Sequence, residues 1–179
     1  AVECEAMIDA SRAGGVPLFV AYYRRALPRF LKVRELIGGG AIGTPRRVRI
    51  LLQRELGAAY ADPAALPWRV RPEIAGGGLF VDLGSHTLDL LDCLLGPIAD
   101  VRGQAESRSG AYPAEDTVTM SFAFAGGVQG VGDWSFCSDA RRDEVEIIGD
   151  RGRLVFSTFG DDPVRLDTAQ HTQAFAIDN

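Results

Sequence analysis

The stretch Gly76–Gly96 reads GGGLFVDLGSHTLDLLDCLLG and marks the point where the pattern of the chain changes. Before it, apolar residues recur with the spacing of helices and of one long strand. After Gly96 and Pro97, which end a helix, short alternating segments are separated by Gly-Gly and Gly-Asp turns, a pattern typical of antiparallel strands. The sequence therefore predicts an α+β fold with an open, predominantly antiparallel β-sheet and helices packed on one face.

The size and charge of the chain indicate one folded domain. Its 179 residues suffice for a single core, and no repeat or linker divides them, so residues 1–179 are predicted to form one α+β domain. The net charge of −5 and the sequence pI of about 5.0 predict no nucleic-acid partner and no anionic membrane. No apolar run approaches the roughly 20 residues that span a bilayer.

The N-terminus and the cysteines predict a cytoplasmic location. The opening AVECEAMIDA carries two glutamates where a secretory signal would carry basic residues. Cys4, Cys93 and Cys137 are odd in number and far apart, which favours reduced thiols over a disulfide scaffold.

Four elements are predicted upstream of the quoted stretch. Residues 3–13 form a helix, and the β-branched and aromatic run Val16–Tyr23 predicts a buried strand. A second helix begins at Pro28 and ends at Gly38. A long, half-exposed strand follows from Pro45, because apolar residues alternate there with polar ones. Its inward positions are Val48, Ile50 and Leu52.

The sequence GGGAIG at residues 38–43 matches the G-x-G-x-x-G pattern of dinucleotide-binding loops. That pattern binds pyrophosphate because its glycines follow a strand and open a helix. Here the order is reversed, since a helix precedes the glycines and a strand follows them. The pattern therefore predicts a helix stop and a turn.

The helix predicted over Leu79–Leu95 is largely buried but carries one narrow polar stripe, formed by Asp82, His86, Asp89 and Cys93. Polar stripes usually face solvent. This one contains no Lys, Arg or Glu, and the glycines before it allow close approach of a ligand to the backbone.

Asp82 lies four residues before His86, a spacing at which a carboxylate can orient an imidazole and stabilise its protonated form. Such a histidine exchanges protons near neutral pH. Asp and His at this spacing could also supply two metal ligands, but no spacing motif supplies a third, so no metal is predicted.

The quoted helix resembles the C-terminal domain of the glucose–fructose oxidoreductase, inositol dehydrogenase and rhizopine-catabolism (Gfo/Idh/MocA) family. The resemblance covers essentially the whole chain. It rests on AGGGLFVDLGSHTLDLLDCLLG, on VAYYRRALPRFLKVRELIGGGAIG before it, and on EDTV and EIIGDRGRLVF after it. Family members join an N-terminal Rossmann domain, which binds NAD(P), to an α+β domain that builds the substrate site. The resemblance implies hydride transfer between nicotinamide and a CH–OH group of a sugar, polyol or related diol. It also implies a homodimer or homotetramer formed through the sheet face.

The resemblance assigns catalytic roles to Asp82 and His86, which stand as the family's D-x-x-x-H pair, with the histidine handling the hydroxyl proton. Tyr23 and Arg24 stand where family members contact the substrate. The alternative for Arg24 is a surface position at a strand end.

Trp68 and Arg69 stand where some relatives place a Trp-Arg pair against the cofactor. The alternative for Trp68 is an aromatic side chain that fills the core. Arg141 and Arg142 lie near a position that helps to enclose the substrate in relatives, but the local sequence departs from the family pattern and no role is assigned to them.

Two family features are expected outside this sequence. One is the E-K-P motif at the end of the Rossmann domain, whose lysine is usually catalytic; Lys32, the only lysine here, lies in a different motif. The other is a further C-terminal helix. Residues 1–15 are therefore expected to link to a dinucleotide-binding domain, and the isolated chain is expected to be inactive.

Two alternative functions remain at the level of sequence. The fold could serve as a non-catalytic module for dimerisation or ligand sensing. It could also support NAD(P)-assisted hydrolysis or elimination on a glycoside, as in some members of the family.

Overall fold

A computed structural model describes residues 2–178, so the two terminal residues of the predicted domain lie outside the described part. An eight-stranded sheet forms the framework of the described residues. The helices are α1 (Val2–Gly14), α2 (Pro28–Gly38), the short α3 (Pro72–Ala75) and α4 (Ser85–Leu95). The strands are β1 (Pro45–Glu55), β2 (Ile98–Glu106), β3 (Thr117–Phe124), β4 (Gln129–Ser138), β5 (Arg142–Gly149), β6 (Gly152–Phe156), β7 (Val164–Thr168) and β8 (Thr172–Phe175).

The strands lie in the order β2-β3-β4-β1-β5-β6-β7-β8. β1 runs parallel to β4, and every other neighbouring pair is antiparallel. The predicted α+β class and the predominantly antiparallel sheet are therefore confirmed. The single parallel pair arises because β1 enters the middle of the meander that follows α4.

One hydrophobic core lies between the sheet and helices α2 and α4. Val48, Ile50 and Leu52 of β1 are at most 5% exposed, which confirms the predicted alternation. Burying each such side chain contributes roughly 1.5–3 kcal/mol to folding. The two helices bury Phe30 and Val33 from α2 and Leu90 and Leu91 from α4 in the same cluster.

The glycine run at residues 38–43 forms the predicted turn. Helix α2 ends at Gly38, and Gly40 and Gly43 adopt positive φ angles of 70° and 72° before β1 begins at Pro45. Glycine is favoured at such angles because it has no Cβ.

The predicted buried strand at Val16–Tyr23 is wrong. Residues 16–22 have no strand partner among the described residues, and Leu18, Phe19 and Val20 are 50%, 84% and 71% exposed. Apolar and β-branched residues favour a strand only where a neighbouring strand and a core receive them. Helix α1, which was predicted, forms but likewise buries none of its side chains.

The sheet face opposite the helices is open. A depression of about 520 Å³ lies on it, across β1, β4, β3 and β2. It is lined largely by polar residues, among them Arg47, Arg49, Arg102, Ser121 and Gln129.

Three further observations bear on function. Within residues 2–178 no helix combines the length and the apolar character needed to cross a bilayer. The same residues bring together no group of three or more His, Cys, Asp or Glu side chains suited to a metal ion. Cys4, Cys93 and Cys137 are free thiols.

Candidate active site

The helix predicted over Leu79–Leu95 contains an irregular first segment. Phe80–Gly84 form a π-helical turn, and regular α-helix begins at Ser85. Hydrogen bonds in a π turn span five residues instead of four, so Asp82 no longer lies directly one turn below His86. Gly84 allows close packing within the turn, because a Cβ at that position would lie 2.6 Å from the ring of Phe80.

His86 lies among three aromatic rings. The centre of the imidazole is 5.4 Å from that of Tyr22, 6.1 Å from Tyr23 and 6.4 Å from Phe159. Its Nδ1 atom is buried and has no hydrogen-bond partner among the described residues. The polar stripe of α4 therefore faces the N-terminal segment and the loop after β6 at this point.

The electrostatic surroundings of His86 differ from the prediction. Burial lowers the pKa of His86 below its ordinary value, and the positive charge of Arg24 lowers it further. The charges of Asp82 and Asp89 act in the opposite direction but are outweighed. The neutral imidazole is therefore favoured, whereas the sequence predicted that Asp82 would stabilise the protonated form.

Asp82 binds a different partner. Its Oδ2 accepts a hydrogen bond from Arg69 Nε at 3.0 Å, and Arg69 in turn stacks on Trp68, with Cζ 4.5 Å from the ring centre. Asp82 therefore does not orient His86 as the sequence predicted, because the Arg69 guanidinium binds the Asp82 carboxylate instead. Trp68 is 51% exposed, so the alternative in which it fills the core is wrong.

The 3₁₀ turn Tyr23–Ala26 brings the N-terminal segment against α4. Arg25 Nε donates to Asp89 Oδ2 at 2.7 Å, which fixes the turn to the polar stripe. Arg24 stacks on Tyr23 with its Cζ 4.9 Å from the ring centre. Its Nε also donates to the carbonyl oxygen of Thr158 at 3.1 Å.

The loop of residues 157–160, after β6, forms the opposite side of the site. Asp143 of β5 accepts hydrogen bonds from the backbone N–H groups of Thr158, Phe159 and Gly160 at 2.9, 2.6 and 3.0 Å. The Thr87 hydroxyl of α4 donates to Thr158 Oγ1 at 3.2 Å. These bonds hold the Phe159 ring between the Arg24 guanidinium, 4.5 Å from the ring centre, and His86.

The structure thus places the six residues predicted for the site in two groups. His86 contacts Tyr23 and lies near Arg24, while Asp82, within the π turn, binds Arg69, which lies over Trp68. Their roles in catalysis and binding remain predictions.

Two residues at the site were missed at the level of sequence. Phe159 lies in a loop without a motif. Arg54 stacks on Phe159, with Cζ 5.4 Å from the ring centre, and its buried Nε has no hydrogen-bond partner among the described residues. The alternation of β1 contained a signal for Arg54, since it follows three inward-facing apolar residues at the same spacing.

The glycines before the helix serve a purpose that was not predicted. The Gly78 N–H donates to Glu115 Oε1 at 2.7 Å, and a Cβ on Gly78 would lie 2.4 Å from the Glu115 carbonyl oxygen. The close backbone approach is therefore made to the loop between β2 and β3.

Comparison with known proteins identifies the family. The family description "GFO/IDH/MocA C-terminal domain" matches residues 30–155, and the chain belongs to this family. The resemblance seen in the sequence is thereby confirmed.

Individual relatives agree with this assignment. Oxidoreductase P35 of Formosa agariphila is 31% identical over 157 residues, covering 88% of this chain and 48% of its own length. D-apiose dehydrogenase of Paraburkholderia graminis is 29% identical over 160 residues, covering 87% of this chain and 41% of its own length. The chain thus spans about half the length of these relatives.

Solved structures share the fold. An inositol dehydrogenase homolog from Azotobacter vinelandii, in complex with NAD+, superimposes with a TM-score of 0.83 at 21% sequence identity. The alignment covers 97% of this chain and 47% of that protein.

Proposed function

We propose that this chain is the substrate-binding and catalytic half of an NAD(P)-dependent oxidoreductase that acts on a CH–OH group of a sugar, polyol or related diol. The observation that carries the proposal is the half-buried His86, whose Nδ1 lacks a partner within the described residues and whose pKa is lowered by burial and by Arg24. Buried polar atoms in native proteins are nearly always paired. An unpaired buried nitrogen such as Nδ1 of His86, beside exposed aromatic and arginine side chains, is what we expect of a group that binds a ligand.

His86 acts as the proton acceptor in this proposal. Its neutral imidazole takes the proton of the substrate hydroxyl, and the nearby Asp82 and Asp89 charges stabilise the imidazolium that forms. Tyr23 and Arg24 bind the other oxygens of the substrate, since a guanidinium offers several donors. The 157–160 loop places the Phe159 ring against His86 and limits access of water to the reacting oxygen.

Trp68 and Arg69 fit the nicotinamide side of the site. The indole is half exposed and the guanidinium lies over it, so the pair offers an exposed aromatic and cationic surface next to Asp82. A bound NAD(P)+ supplies the acceptor for the hydride that leaves the carbinol carbon. The residues that bind the remainder of the nucleotide are proposed to lie in a separate N-terminal domain, and the isolated chain is proposed to be inactive.

The N-terminal segment supports this division of the protein. Val16, Leu18, Phe19 and Val20 of this segment are exposed, and α1 buries none of its side chains among the described residues. We propose that residues 1–15 link to the dinucleotide-binding domain and that this domain covers the apolar segment. We further propose a cytoplasmic location, which suits the three free thiols.

Hydride transfer by the intact protein tests the proposal. Polyols and sugars labelled with deuterium at the carbinol carbon are incubated with NAD+ or NADP+, and transfer of the label to the nicotinamide is measured. We expect transfer in the wild type and a loss of about 10²–10⁴-fold in kcat for His86→Asn, with nucleotide affinity unchanged.

His171→Asn is the matched control, because it removes the only other histidine, which is exposed near β8. Wild-type turnover in His86→Asn would remove the catalytic assignment. Product formation without transfer of the label would exclude net oxidation.

A further inference from the structure

Arg54 occupies an inward-facing position at the end of β1. The three preceding inward positions are apolar and buried, so a charged residue departs from the pattern of the strand. The Arg54 guanidinium stacks on Phe159, the same ring that contacts His86. Its buried Nε has no hydrogen-bond partner in the described chain. An unpaired, partly buried guanidinium costs free energy, which a bound anion would offset.

Two other arginines lie close to Arg54. Arg24 stacks on Phe159 as well, with Cζ 4.5 Å from the ring centre. Arg141, which is exposed, lies near enough that its charge lowers the pKa of Arg54, although burial is the larger cause. None of the three forms an ion pair within residues 2–178.

The carboxylates around the site are already engaged. Asp82 binds Arg69, and Asp89 binds Arg25, at 3.0 and 2.7 Å. Asp143 accepts three backbone hydrogen bonds from the 157–160 loop. Among the described residues, three arginines without an ion pair, Arg24, Arg54 and Arg141, thus outnumber Asp143, which has no arginine partner but whose negative charge still acts on Arg54.

We propose that the site takes an anionic polyol, a sugar derivative with a carboxylate or phosphate group, and that Arg54 binds the anionic group while His86 meets the hydroxyl. The inference rests on the function proposed above and adds the charge of the substrate to it. A guanidinium fork matches carboxylate and phosphate oxygens bidentately. A neutral polyol would leave the buried Arg54 donor without a charged acceptor, so discrimination should be large.

Steady-state kinetics of the intact protein test this assignment. D-gluconate, D-glucitol 6-phosphate and D-glucitol share one carbon skeleton and differ in the charged group. We expect kcat/KM to be about 10- to 100-fold higher for at least one anion than for D-glucitol. The anion that is preferred identifies carboxylate or phosphate as the recognised group.

The Arg54→Gln variant should abolish this preference, because it raises the KM for the anion far more than the KM for D-glucitol. Arg47→Gln, on the same strand but exposed on the opposite sheet face, is the matched control and should retain the preference. If Arg54→Gln fails to fold, the exposed Arg141→Gln variant makes the same comparison, with a smaller expected loss.

The possible outcomes separate the two proposals. Hydride transfer that favours D-glucitol, or an Arg54→Gln variant that lowers activity on all three compounds equally, would overturn the anionic assignment while the oxidoreductase function stands. A rise in the KM for the nucleotide alone would also overturn it, since Arg54 would then serve the cofactor. Calorimetry completes the test. Binding of an anion that depends on Arg54 would support the anionic assignment of the site, whereas the absence of hydride transfer from all labelled polyols and sugars would reject the proposed function.

Discussion

Burial and the positive charge of Arg24 both lower the pKa of His86. Both disfavour the imidazolium, and the two carboxylates nearby are not strong enough to reverse them. Asp82 is weakened in this role because its charge is shared with Arg69. A histidine in such surroundings is prepared to accept a proton at neutral pH, and it acquires a favourable carboxylate interaction only after it has done so.

The pKa of His86 should therefore lie below the ordinary value of about 6.5 and respond oppositely to its two kinds of neighbour. Arg24→Gln removes a positive charge and should raise the pKa, whereas Asp82→Asn removes a negative charge and should lower it further. Because the folded-state pKa is lowered, the stability linked to His86 is present above about pH 6.5 and is lost as the pH falls through the folded-state pKa. Titration of the imidazole signals by NMR measures each value.

The NMR experiment is unambiguous because the chain has two histidines, and His171→Gln assigns the second signal. Arg12→Gln, on the exposed α1, is the charge-matched control for Arg24→Gln and should leave the pKa unchanged. A pKa above 6.5, or shifts of the same sign in the two site variants, would contradict this account.

At the same scale, some residues of the site could be identified from the sequence and others only from the folded structure. Asp82 and His86 belong to a stripe that periodicity reveals, whereas Trp68 and Arg69 were identified only by resemblance to the family. The partner of Asp82 could not be predicted, since a π turn and a competing guanidinium depend on folded geometry. Phe159 could not be found from the sequence. Its position is set by a hydrogen bond from its backbone N–H to Asp143, which lies on the separate strand β5.

At the scale of elements, β1 is the strand on which the site depends. Its alternation could be predicted because Val48, Ile50 and Leu52 are buried on one face, and Arg54, next to Phe159, follows them at the same spacing. For the Val16–Tyr23 segment the prediction failed. Its residue types favoured a strand, but no neighbouring strand among the described residues pairs with it. Strand prediction succeeded where the partner lies within the described chain.

The 157–160 loop is an element whose order depends on Asp143. In Asp143→Asn an amide donor replaces either the oxygen that accepts from Thr158 or the oxygen that accepts from Phe159 and Gly160. We expect the free energy of unfolding to fall by about 1–3 kcal/mol. Phe159 should also lose its fixed place beside His86, so kcat/KM of the intact protein should fall. Urea unfolding and steady-state kinetics measure the two effects.

Asp161→Asn provides the control, because this residue carries the same charge in the adjoining segment but is exposed. It should change stability by less than about 0.5 kcal/mol. Equal losses in the two variants would show that charge, and not the backbone hydrogen bonds, sets the order of the loop.

At the scale of the whole molecule, the sheet separates two surfaces. One face carries the helices and the candidate site, and the other carries a row of side chains in register across neighbouring strands. Within that row lie Arg102, Ser121, Val131, Arg49 and Glu146. The class of fold followed from the order of helices and strands in the sequence. The place of β1 in the middle of the sheet did not, because strand order depends on long-range pairing.

We propose that the open sheet face forms a homodimer or homotetramer contact. Exposed arginines lie on the β1 and β2 part of this face and the exposed Glu144 lies on β5, so a twofold axis could set opposite charges against each other. Glu146 of β5 is buried and pairs with Arg49 and Arg153 of the same chain. Val131, 50% exposed between Ser121 and Arg49, lies near the middle of the face and is the apolar contact on which close packing would depend.

The Val131→Arg variant should convert the oligomer to a monomer, because it places a further positive charge beside Arg49 where two copies would meet. Light scattering coupled to size-exclusion chromatography of the intact protein measures the mass. Gln170→Arg adds the same charge on the exposed turn between β7 and β8 and should leave the oligomer intact. Thermal melting shows whether both variants are folded. An oligomer that survives Val131→Arg would place the contact elsewhere, and a monomeric wild type would show that this face forms no contact between copies.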